Sequence, residues 1–182
     1  LVQVKVALSS VSCANARMNL ETEIPAWDFD GVKAMAANRW EETLACSDIE
    51  SEDERSKKIF YTALYHLFMA PTLYMDTNRE FRGHNDSIYR ADNWTNYSTF
   101  SLWDTYRAYH PLMTIIQPQL VPDWVNSMLS IYDQQDKLPI WPLIGGETNQ
   151  MPGYSALPII ADAYLKGFKG FDAERALNDM VA

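Results

Sequence analysis

Two stretches of this chain bring together residue types that could do acid–base or sugar-binding chemistry. The first runs from Lys137 to Tyr154, and Glu147 is its only acid. Trp141, Leu143 and Ile144 precede it, Gly145 and Gly146 adjoin it, and a helical pattern follows. A carboxyl held against tryptophan and aliphatic groups is disfavoured as an ion. A carboxyl that keeps its proton near neutral pH can act as a general acid. The two glycines would let a ligand come close to the backbone. The plainer expectation is a surface glutamate near a helix start. The second stretch is Ser101-Leu102-Trp103-Asp104-Thr105-Tyr106-Arg107. A tryptophan beside an aspartate can hold a sugar, the ring against a C–H face and the carboxylate accepting from hydroxyls. The plainer expectation pairs Asp104 with Arg107 or uses it to complete a helix cap.

Other chemistries find little support. His66, His84 and His110 lie far apart, in no metal-ligand spacing. Cys13 and Cys46 are too few for a disulfide scaffold or a four-cysteine zinc site, and neither has a histidine nearby in sequence. No glycine loop of the phosphate-binding kind occurs. With 15 Lys+Arg against 24 Asp+Glu, the formal charge of -9 lacks the basic footprint that nucleic acids require. A composition that is 47% hydrophobic and 21% charged fits a folded domain rather than a disordered chain. No apolar run approaches the roughly 20 residues of a membrane span. Three glycosylation sequons, at Asn85, Asn93 and Asn96, are matches of a kind that arise by chance.

The elements that must position these loops are mostly helical. Residues 1–9 alternate, with Val2, Val4, Val6 and Leu8 on one side, as in a half-buried strand. A lone strand needs partners, and no other long alternating run is present. A short helix is expected from Ser12 to Asn19, before Ile24-Pro25. A second, capped by Asp28 or Asp30 and ending near Ala45, places Val32, Met35, Ala36, Trp40 and Leu44 on one face. A solvated acidic loop follows. A third helix starts near Ser56, with Ile59, Ala63, Leu67 and Ala70 on one stripe and Phe60, Leu64 and Phe68 beside it. Residues 72–100 read as irregular, a length that implies function or short strands. Helix resumes at Ser101 with Leu102, Tyr106, Tyr109 and Met113 at helical spacing, and Pro111 is expected to kink or end it. Pro122 and Asp123 open another helix, with Val125, Met128, Leu129 and Tyr132 inward. The last two cover about Ser155–Lys166, stopped by Gly167, and a segment capped by Asp172. The pattern is mainly α, with two long polar-aromatic loops.

Several strings resemble one family. They are Phe60-Tyr61-Thr62-Ala63-Leu64-Tyr65-His66, then Tyr97 through Ala108. Leu138-Pro139-Ile140-Trp141 leads on to Gly146-Glu147-Thr148, and Gly153-Tyr154 runs into Ile159-Ile160-Ala161-Asp162-Ala163-Tyr164. Glu23 to Asp30 is similar to the linker that precedes the catalytic domain. Together these resemble glycoside hydrolase family 92, the calcium-dependent exo-acting α-mannosidases, over nearly the whole chain and in order.

The resemblance implies a β-sandwich, a helical linker and a catalytic (α/α)6 barrel. Residues 1–9 would be the terminal strand of the sandwich, 10–53 the linker helices, and 54–182 the first part of the barrel. It implies inverting hydrolysis of terminal α-linked mannose from mannose-rich glycans, with Ca2+ holding the sugar. The family acid falls on Glu147. Trp103 and Asp104 match a Trp-Asp pair expected to line the glycone pocket, and Gln150 falls where a calcium ligand is expected. The family base lies in a later motif beyond Ala182, so a piece that is inactive alone is expected, partnered by the remainder of its polypeptide. Asn149-Gln150 and Pro152 depart from the usual pattern, which bears on leaving-group specificity or the calcium site. Family members are usually exported, so a periplasmic, cell-surface or extracellular location is implied. The alternative is a non-catalytic carbohydrate-binding or scaffold relative of the same fold. A third possibility is an unrelated helical interaction module.

Overall fold

A computed structural model describes residues 2–181. Its order is α1 (Cys13–Glu23), α2 (Phe29–Leu44), α3 (Glu54–Leu67), β1 (Thr72–Leu73), β2 (Glu80–Arg82), β3 (Ile88–Arg90), β4 (Tyr97–Ser98), α4 (Leu102–Thr105) and α5 (Tyr109–Ile116). A 3-10 turn (Pro118–Leu120), α6 (Val121–Gln135), β5 (Pro142–Leu143), β6 (Gly146–Glu147), α7 (Ala156–Leu165) and α8 (Ala173–Val181) follow. The expected mainly α class is what forms. The strands make three separate antiparallel pairs, β1 with β4, β2 with β3 and β5 with β6.

Helix α6 is the centre of the core. Val121, Trp124, Val125, Met128, Leu129 and Ile131 are all buried along it. It packs on α7 and α8, and α5 packs on α7. Leu102, Met113, Ile159, Ile160 and Ala163 close the same cluster. Pro111 neither kinks nor ends α5. It is the third residue of that helix, in the first turn, where a missing N–H costs little. The break falls before it, at 106–108.

Caps set the helix starts. Asp28 accepts from the Gly31 N–H, Asp53 from Arg55 and Asp172 from Arg175. Helix α1 runs longer than expected, to Glu23, with Ile24 before Pro25 as its last cap. Along α3 the inward stripe is buried Leu64 with half-buried Phe60 and, just past the helix end, Phe68, while Ile59 and Ala63 stay exposed. On α2 no residue is fully buried, and Met35 is exposed. Amphipathic spacing fixes which residues share a face but not which of two adjacent stripes meets the core.

Residues 2–9 join no sheet among the described residues, so the expected strand is not formed as a paired element; Leu1 lies outside them. The alternation survives as exposure. Val2, Val4, Val6 and Leu8 are 74 to 89% exposed, while Lys5, Ala7 and Ser9 are partly covered. A strand is completed by the ladder of a neighbour, and no described segment supplies one.

Polar side chains bind this N-terminal segment to the 72–100 loop. Buried Asp76 accepts from the Ser9 hydroxyl at 2.6 Å, the Asn15 amide at 2.9 Å and the Asn19 amide at 2.7 Å. The Asn19 side-chain oxygen, Oδ1, accepts from the N–H and hydroxyl of Thr77. The Arg82 guanidinium holds the Ser10 and Val11 carbonyls. Among the described residues, no helix is long and apolar enough to cross a membrane.

His110 is buried in the core against Phe100, Tyr109 and Trp124. Burial pushes its pKa down to about 4. The unfolded chain takes up this proton near pH 6.5, so stability is full above about 6.5 and is lost as pH falls towards 4. His110→Phe should flatten that loss, read as a shallower decline of the unfolding midpoint between those pH values. Leu129→Ala should cost about 2–5 kcal/mol by leaving a cavity. Ile59→Ala should stay within about 0.5 kcal/mol. Denaturant titration of the two variants checks the pair.

Candidate active site

The loops at 72–108 and 137–153 meet at one end of the helical body. The Phe100 N–H donates to the Pro142 carbonyl at 3.1 Å, and the Ser98 hydroxyl donates to the Ile144 carbonyl at 2.6 Å. The two candidate stretches therefore lie on adjoining backbone. Thr99, Ile144, Asn149 and Met151 all hold positive φ, from 52 to 68°. For β-branched Thr99 and Ile144 this conformation is strained, and such strain persists only where surroundings enforce it.

Strands β5 and β6 form a hairpin, with Pro142 opposite Glu147 and Leu143 opposite Gly146, turning through Ile144 and Gly145. Gly145 is needed for packing. A Cβ there would come within 2.2 Å of the Tyr74 hydroxyl, so the space expected for a ligand is filled by Tyr74. Beside Gly146 the space is open.

Glu147 is partly buried, and its carboxylate turns back into its own loop. Oε2 accepts from the Ile140 N–H at 2.8 Å, and Oε1 accepts from the N–H groups of Trp141 and Asn149, both at 2.9 Å. Thr148 completes the grip: its hydroxyl and its N–H both donate to the Trp141 carbonyl, at 2.7 and 3.3 Å. The apolar setting expected for Glu147 is replaced by backbone donors. Lys137 donates to the Asn149 side chain and ties the loop base.

Asp104 is exposed near the start of α4, where the Ser101 hydroxyl donates to it. Arg107 makes no ion pair with Asp104 among the described residues. Its guanidinium instead lies 5.3 Å from the Trp103 ring centre and 5.1 Å from that of Tyr106. Asp104 bonds the Ser101 side chain, but no side chain caps the backbone N–H groups of α4, so neither the helix cap nor the Arg107 pairing forms among the described residues. Trp103 carries a cation over its ring where a sugar face was expected.

His84 is one of two residues near this loop that sequence reading did not single out. Its N–H donates to Gln134 Oε1 at 2.8 Å, and its Nδ1 lies 3.3 Å from Gln135 Oε1. Burial lowers its pKa, opposed by the Gln135 contact and by the negative charge of Glu147. Tyr74 is the other. Both come from an irregular segment with no periodicity, so only a motif could have flagged them.

Gln150 is exposed, and its amide nitrogen donates weakly to the Thr148 carbonyl at 3.4 Å. Calcium takes six to eight oxygen ligands. Among the described residues, no group of three or more His, Cys, Asp or Glu side chains could hold a metal. Gln150 offers one neutral oxygen, so these residues do not build a calcium site by themselves.

Comparison with known proteins places this geometry in a family. The profile of the Glycosyl hydrolase family 92 catalytic domain matches residues 15–182. The solved structure of a family GH92 α-mannosidase from Bacteroides thetaiotaomicron is 40% identical, with a TM-score of 0.91, over 95% of this chain and 23% of that one. The same α-mannosidase in complex with mannoimidazole matches equally. A family GH92 inverting mannosidase from Bacteroides thetaiotaomicron VPI-5482 is 25% identical, with a TM-score of 0.88, over 95% of this chain and 24% of that one. The chain therefore spans about a quarter of the length of these structures. A search of curated proteins gives no match.

The hydrogen bonds of the loop make a stability prediction. Glu147→Ala leaves three backbone N–H groups without their acceptor and should cost about 1–3 kcal/mol. Thr148→Val removes one hydroxyl bond and should cost about 1 kcal/mol. Unfolding midpoints that rank the two variants the other way would contradict this account of the loop.

Proposed function

The chain belongs to glycosyl hydrolase family 92, and from that premise we propose that the polypeptide it forms part of hydrolyses terminal α-linked mannose on mannose-rich glycans. The observation that carries the proposal is a backbone match at TM-score 0.91 and 40% identity to an α-mannosidase also solved with mannoimidazole. That match covers 95% of the chain. The remainder of the polypeptide is the partner the site requires, and the substrate is a mannose-containing glycan.

Inversion is part of the proposal, supported by the relative described as an inverting mannosidase. Such chemistry needs two carboxyl groups about 6.5–9.5 Å apart, one giving a proton to the leaving oxygen and the other activating water. Trp103 and Asp104 are proposed to line the glycone pocket. Asp104 suits this role because it is exposed and held by Ser101. The acid role that the resemblance gives Glu147 is less well supported, since both of its oxygens are taken up by its own loop.

Calcium dependence rests on the family resemblance, with Gln150 as a proposed contributor, and no step is derived through the ion. Export likewise rests on the resemblance. The alternative of a non-catalytic carbohydrate-binding relative has no specific observation in its favour.

The test is mannose release from α-linked mannobioses by the intact polypeptide. Release should stop in EDTA and return with calcium, and proton NMR should show β-mannose as the first-formed anomer. No release from any linkage would favour the carbohydrate-binding alternative. Release that EDTA leaves untouched would remove calcium from the proposal.

A further inference from the structure

We propose that Tyr74 is a positioning residue: its hydroxyl, seated against Gly145, sets the spacing between the β5–β6 hairpin and the loop edge that carries Trp103 and Asp104. The inference rests on the hydrolase reading above and assigns a part within it.

The backbone of Tyr74 is fixed from both sides. Its N–H donates to the Asn96 backbone carbonyl at 2.9 Å, and its carbonyl accepts from the Asn96 side-chain amide at 2.8 Å. Asn96 is buried, so both bonds lie away from water, where they are stronger. They extend the β1–β4 ladder, in which Thr72 stands opposite Ser98 and Leu73 opposite Tyr97. Two residues on, Asp76 is buried and accepts from the side chains of Ser9, Asn15 and Asn19. The Tyr74 ring therefore leaves a backbone with little freedom to yield.

At its far end the ring meets the hairpin turn. The hydroxyl occupies the space in which a Cβ on Gly145 would lie. Gly145 does not hold a positive φ, so its missing side chain answers to this contact and not to a turn conformation. Two hydrogen bonds from the same loop draw the hairpin in. The Ser98 hydroxyl donates to the Ile144 carbonyl at 2.6 Å, and the Phe100 N–H to the Pro142 carbonyl at 3.1 Å. The Tyr74 ring limits how far the hairpin comes. Ile144 keeps φ at 54° between these contacts, and such strain persists only where surroundings enforce it. Ser101, next after Phe100, donates to Asp104, so the edge bearing Trp103 and Asp104 starts from this junction. A Cβ added at Gly145 would need about 1 Å of movement to reach ordinary contact with the hydroxyl, and a misplacement of that size can cost about 100-fold in rate without removing any reacting group. With the hydroxyl gone, the ring carbon Cζ stands 3.1 Å from that position, which a far smaller shift relieves.

The contact between one hydroxyl and one missing methyl group is open to a rescue experiment. In the intact polypeptide, kcat and KM on α-mannobiose are measured for wild type, Gly145→Ala, Tyr74→Phe and the double variant. Gly145→Ala is expected to lower kcat/KM about 10- to 100-fold with KM raised, and adding Tyr74→Phe is expected to recover about tenfold or more of that loss. A loss of stability alone would lower the folded fraction and leave KM as it was. Gly145→Ala with the kcat/KM of wild type would overturn the proposal, and so would a double variant no better than Gly145→Ala. If Gly145→Ala does not fold, Tyr74→Ala is read in its place. It withdraws the ring without adding a group and is expected to raise KM, and an unchanged KM would overturn the proposal. Wild-type protein that releases no mannose would overturn the hydrolase reading itself, and this assignment with it.

Discussion

Irregular backbone packed at the end of a helical body carries N–H and C=O groups that no helix or ladder can satisfy, and each one left unpaired is costly. In this chain short polar side chains meet that demand. Asn96 exchanges bonds with the backbone of Tyr74, Ser127 accepts from the Tyr97 N–H, Ser98 reaches Ile144, and Glu147 with Thr148 closes around Trp141. These bonds determine where the loops meet and which residues stand at their junction. The positive-φ residues sit among them, which is where strain can be held in place.

The helical body supplies the platform. Helix α6 buries one long apolar face, and α5, α7 and α8 close around it, so the loops spring from a fixed base. The N-terminal segment is attached by different means. Its fixings are the polar bonds of Asp76 and Arg82, while Val2, Val4, Val6, Leu8 and Trp27 remain exposed. The covered apolar surface lies where the helices meet, and the N-terminal segment is held by hydrogen bonds.

For function, the consequence is that residue type and residue role separate. Tryptophan, aspartate and glutamate all stand at the loop end, as sugar hydrolysis requires. Yet Arg107 lies over Trp103, and the Glu147 oxygens serve the loop backbone. Family membership supports the reaction class proposed for the polypeptide. The hydrogen-bond geometry shows what each side chain touches, and the Glu147 carboxylate accepts from three N–H groups of its own loop.

The sequence by itself determined the helices, because amphipathic spacing and capping residues act within one turn. Asp28, Asp53 and Asp172 cap α2, α3 and α8, and Val125, Met128 and Leu129 point inward as their spacing requires. It also determined the family, through ordered strings on both loops. Tertiary structure decided the rest, because those outcomes depend on partners far away in the chain. It chose which stripe of α3 faces inward, gave residues 2–9 no strand neighbour among the described residues, and set His84 within reach of the Glu147 charge and Tyr74 against Gly145. It also turned the Glu147 carboxylate onto three N–H groups, since the path of a loop backbone is set by everything that loop touches.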